Sequence, residues 1–160
     1  MGLRNQFLLG IGSPYDTDQL GWQVIKCLQA QEILKPYQPE RLELSFHDRP
    51  GIRLLELMQN VNHVFIVDAV KSNALPGTLH QFQKEALLSL DGQYSSHGIG
   101  VAESIQIGKA LNSLPENIKF YGIEIAPPKI KFDYSEQFTN AVDNLTQIII
   151  DDILRLLLKK

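Results

Sequence analysis

The chain has 160 residues, of which 44% are hydrophobic and 21% charged, so it can bury the core of one ordinary domain. Its formal net charge of -3 argues against broad binding to a nucleic-acid backbone, which needs a basic face. One cysteine excludes an internal disulfide and a zinc-type cysteine pair, and no run of about 18 apolar residues provides a membrane span.

Residues 6–12, "QFLLGIG", read as a short buried strand ending in glycines. Helical spacing follows over 17–32, with Leu20, Val24 and Leu28 on one face. "KPYQPE" (35–40) reads as a loop, "RLELSF" (41–46) alternates like a strand, and "GIRLLELMQN" (51–60) returns to helical spacing. "HVFIVDAV" (63–70) is the strongest strand pattern. "NALPGT" is a turn, and "TLHQF" suits a further strand. Residues 100–114 read as a helix, 118–125 as a strand and "APPKIKFDY" as a long loop. A final helix starts at Ser135, a candidate N-cap, and carries Phe138, Val142, Leu145, Ile149 and Ile153 on one face. Strands alternating with helices predict an α/β fold, a three-layer sandwich around a twisted, mostly parallel sheet. One domain spanning 1–160 is expected. The N-terminal apolar stretch is too short for a signal peptide, so a soluble, cytoplasmic protein is expected.

"GIGSPYDTDQLGW" begins like a phosphate-binding loop, but Tyr15 stands where the dinucleotide fingerprint needs its third glycine. Two aspartates there would also compete with a phosphate for the helix N-terminus. Asp16 with Gln19 fits a capping box, and Asp18 would then complement the helix dipole. Asp68 ends an otherwise apolar strand, where a carboxylate either caps the next turn or is hydrogen-bonded, paired or metal-bound. His97 lies in the glycine-flanked "SSHGIG" before a helix, and His47 in "FHDRPG" also follows a strand. His63 and His80 read as structural or surface residues, and Cys27 as a core residue. In a parallel sheet, Asp18, Asp68, His97 and His47 would converge on one edge, as a set that suits a first-row transition metal.

Taken in order, "LLGIGSPYDTDQLGW", "DRPGIRLLELM", "VFIVDAVKSNALPGTLHQF" and "SSHGIGVAESIQIGKALNSLPENIKFYGIEI" make the chain resemble the nickel–iron hydrogenase maturation proteases over almost its whole length. These endopeptidases trim the C-terminus of the hydrogenase large subunit. The resemblance implies an α/β/α fold around five strands. It also implies metal-binding and catalytic roles for Asp18, Asp68 and His97, and nickel supplied by the large-subunit precursor. Asp18 is preferred to Asp16 because it lies three residues before Gly21. Ser13, Thr17 and Gln19 depart from the family's usual residues. Two other functions fit the pattern: a factor that docks on the precursor and checks its nickel without cutting, and a generic nucleotide binder.

Overall fold

The computed structural model describes residues 4–12, 19–90, 100–125 and 135–159, with side chains from residue 10 onward. The expected loop 126–134 lies outside the described residues. Five strands form one sheet: β1 (Arg4–Gly12), β2 (Leu42–Asp48), β3 (Val61–Val70), β4 (Leu79–Gln83) and β5 (Asn117–Glu124), in the order β2-β1-β3-β5-β4. The first four in that order are parallel, and β4 runs antiparallel on the outer side of β5. The expected five-stranded, mostly parallel α/β sheet is therefore what forms.

Helices cover both faces. On one lie α1 (Leu20–Gln29) and α5 (Ser135–Leu157), packed on Phe65, Val67, Ala69, Tyr121 and Ile123. On the other lie α2 (Leu54–Leu57), α3 (Lys84–Ser89) and α4 (Val101–Ala110), packed on Val64, Ile66, Val70, Ile118 and Phe120. The odd and even positions of β3 thus serve opposite cores. This explains why residues 64–70 are apolar but for Asp68 rather than alternating.

Several elements differ from the sequence reading. The helix expected over 17–32 narrows to α1, and the chain then turns through a 3-10 segment, Glu32–Tyr37, that takes in Pro36. The helix expected over 51–60 is a 3-10 turn, Gly51–Arg53, running into the four-residue α2. Gly51 and Asn60, both with positive φ, bracket that segment and keep it short. Helix α3 was not expected. Ser135 is already helical rather than the N-cap.

Candidate functional site

Strand β2 lies on one side of β1 and strand β3 on the other, so successive crossovers leave in opposite directions from β1. In an open α/β sheet this reversal opens a crevice beyond the C-terminal ends of the two strands, here β1 and β3. Asp68 sits at that position, two residues inside the end of β3.

The Asp68 side chain is buried, with 4% of its surface exposed. Its Oδ1 accepts the Ala69 N–H at 2.8 Å. As an even-numbered residue of β3 it shares the face of Ile66 and Val70, the side covered by α4. The described chain resumes at Gly100, and α4 begins on this same edge. Val101 joins the core that contains Ile11, and Ser104 Oγ donates to Gly51 O at 3.3 Å, just past the end of β2.

Helix α1 reaches the edge from the opposite face. A Cβ on Gly21 would collide with Ile11 O and lie 2.7 Å from Val67 O. A Cβ on Gly10 would lie 2.7 Å from Gly21 O and 2.6 Å from Ile25 Cγ1. The two glycines let backbone meet backbone, so the first turn of α1 rests against the residue that precedes Asp68. Both glycines of "GIG" remain within β1, as the strand reading had them. The capping box is corrected. Gln19 occupies the N-cap position of α1 rather than N3 and makes no side-chain cap, and its expected partner Asp16 lies outside the described residues.

Asp16, Asp18 and His97 lie outside the described residues. Among the described residues, no three His, Cys, Asp or Glu side chains come together as a metal site. His47 pairs in register with Ile11, and Ile11 stands one step beyond the last β1–β3 pair, Gly10–Val67. His47 is thus two strands from Asp68 on the same face, about 10 Å away at a strand spacing of ~4.8 Å. Ser45 Oγ lies 2.9 Å from its Nε2. Burial, helped by the Arg53 charge, holds its pKa below the ordinary histidine value. Burial, with the Asp143 charge, pushes the Cys27 thiol up, so that residue is no activated nucleophile.

Sequence reasoning missed Glu124. It ends β5 as Asp68 nearly ends β3, and only 1% of its surface is exposed. Its Oε1 accepts the N–H groups of Ser72 (2.7 Å) and Ala74 (3.1 Å). Its Oε2 accepts the Ser72 hydroxyl (2.8 Å) and lies 2.9 Å from His80 Nε2. The signal was available: Glu124 stands in the run "FYGIEI", and a carboxylate among such residues needs partners. His80, read as structural or surface, is one of them.

At the opposite end of the sheet, a cavity of about 250 Å³ opens beside His63, Lys119, Asp152 and Arg155. Asp152 accepts from Lys119 Nζ (2.7 Å) and Tyr121 OH (2.6 Å). Burial opposes its ionisation, but those hydrogen bonds and the charges of Lys119 and Arg155 outweigh burial and lower its pKa. The Tyr121 hydroxyl is pushed far up by burial and by Asp152. This network braces α5 on β5, well away from Asp68.

Residues 50–152 match the family model for hydrogenase maturation proteases, HycI. The chain is 28% identical over 120 residues to the hydrogenase 2 maturation protease of Escherichia coli K12, covering 72% of this chain and 70% of that protein. Its fold resembles that of the hydrogenase maturating endopeptidase HybD from E. coli, with a TM-score of 0.65 at 18% identity, covering 92% and 93% of the two chains. An endopeptidase from E. coli solved in solution gives a TM-score of 0.67 at 22% identity, covering 96% of this chain and 91% of that one.

Proposed function

Since the chain belongs to the hydrogenase maturation protease family, an endopeptidase family that processes hydrogenase, we propose that it removes the C-terminal extension of a nickel-loaded nickel–iron hydrogenase large-subunit precursor in the cytoplasm. The observation that carries this reading is Asp68: a buried carboxylate at the switch point of the sheet, on the face that α4 covers.

Asp18, Asp68 and His97 are the groups we assign to the metal that arrives with the substrate. The fit rests on donor chemistry. Carboxylate oxygens with a neutral imidazole suit a divalent first-row ion, and no thiolate is needed. Asp18 lies three residues before Gly21, where α1 seats against Ile11 and Val67. His97 precedes Gly100, where the chain returns to Asp68's face. Nickel bound beside the scissile peptide would supply Lewis acidity. Asp68 stays on a rigid central strand, and its backbone hydrogen bond from Ala69 fixes one oxygen. A carboxylate so held can orient a water or take its proton as general base.

The test mixes chelator-washed protein with nickel-loaded or nickel-free precursor and follows product mass. One shortening of the nickel-loaded form alone is expected. Equal cleavage of both would refute nickel checking. Stable binding with no cleavage would make the chain a docking factor.

A further inference from the structure

Two residues after Asp68 the chain leaves β3 and returns as β4 through "KSNALPGT", residues 71–78. Surface loops of this length are commonly loose, but one residue anchors this one. The Glu124 carboxylate holds the N–H groups of Ser72 and Ala74 and the Ser72 hydroxyl. Its backbone accepts the Gly77 N–H at 2.8 Å and donates to Thr78 O at 2.9 Å. Inside the loop, the Thr78 hydroxyl donates to Leu75 O at 2.6 Å. Asn73 and Gly77 take left-handed conformations, φ 66° and 88°, that only this geometry requires.

The one apolar side chain that this ordered loop leaves exposed is Leu75. Leu75 is 81% exposed, the most exposed large apolar residue among the described ones. A single exposed leucine is ordinary on a surface. An exposed leucine on a loop fixed by a fully buried carboxylate, at the edge that bears Asp68, is not. It is pre-organised, so burying it against a partner costs little ordering entropy.

We propose that Leu75 is a specificity-determining contact for the protein substrate, inserted into an apolar recess of the hydrogenase precursor, with Glu124 as its positioning residue. This rests on the reading of the Asp68 edge as the processing site. Leu75 touches the substrate away from the reacting atoms, so it governs binding rather than the chemical step.

The experiment is steady-state processing of nickel-loaded precursor by the full chain. Leu75→Asp should raise KM about tenfold, the equivalent of ~1.4 kcal/mol, with kcat within about twofold. Leu75→Met should restore KM. Leu158→Asp, at a residue 65% exposed elsewhere on the molecule, should leave both constants unchanged. Glu124→Gln, checked for an intact melting transition, should raise KM and add little in the double variant with Leu75→Asp. An unchanged KM for Leu75→Asp overturns the proposal, as does a fall in kcat alone. Loss of self-association at unchanged KM also overturns it, since a second copy would then be the occupant. Precursor affinity, measured by interferometry without turnover, separates the two readings. A tenfold weaker complex for Leu75→Asp, with no cleavage by the wild-type chain, keeps the docking contact and sinks the peptidase.

Discussion

Gly21→Ala adds one methyl group where α1 meets the backbones of β1 and β3. The new Cβ would meet Ile11 O and Val67 O, both backbone atoms of central strands that cannot swing aside as a side chain could. Overpacking of this kind costs about 3 kcal/mol. The helix gains at most about 1 kcal/mol from exchanging glycine for alanine. The collision wins, and a net loss of about 2 kcal/mol is expected. With a urea slope of about 2 kcal/mol per molar, the unfolding midpoint should fall by about 1 M. Gly51→Ala provides the contrast. Nothing lies within 4 Å of its Cβ, so its cost comes only from φ +55°, about 1 kcal/mol. Lifting α1 off Ile11 and Val67 also shifts its first turn against Asp68's strand. Processing by Gly21→Ala should therefore fall even at temperatures where the variant is fully folded. A urea midpoint equal to or above the wild type's would refute the backbone-contact argument.

Asp68→Asn keeps the shape and the hydrogen bond from Ala69 but removes the charge. Precursor processing, read by mass, should be abolished while far-ultraviolet circular dichroism is unchanged; full processing would remove Asp68 from the reaction. Asp152 has a lowered pKa, so its contribution to stability is complete above the unfolded carboxylate value of about 3.9 and is lost as pH falls through its folded value. Asp152→Asn should accordingly lower Tm at pH 7 and narrow the gap to wild type as the pH drops below about 4. His47, whose pKa is also lowered, favours the neutral ring in the folded state. Its contribution should weaken as pH falls below about 6.5, and its imidazole should titrate below that value by nuclear magnetic resonance.

The strands were legible because each carries its own signal: β3 is β-branched and aromatic and is buried on both faces, as its sequence implies. The long face of α5 was legible for the same reason, with Val142, Leu145, Ile149 and Ile153 buried. Helix α3 was missed because Lys84–Ser89 follows β4 with no glycine or proline to mark the change of period. The reversal of β4 was also hidden, since direction depends on which strand it pairs with, and that partner, β5, lies 34 residues further on from Gln83 to Asn117. Asp68 stood out as one polar residue in an apolar run. Glu124 stood out equally, but its partners Ser72 and His80 are 52 and 44 residues away, and no local spacing joins them. Gly10 was legible only as the end of a strand and Gly21 only as a landmark for Asp18, because close helix–strand approach is a property of two elements together.

The division of the core between the two faces has a consequence for how the protein is made. The core on Asp68's side is built from residues between Ile11 and Phe120, so it is complete once β5 has left the ribosome. The opposite core needs Val142, Leu145, Ile149 and Ile153 of α5, and Arg41 ties the start of β2 to Leu157 O only when that helix arrives. A nascent chain therefore finishes the half that holds Asp68 first and leaves the other face covered by α1 alone until α5 docks. That interval is when the chain is most exposed to aggregation.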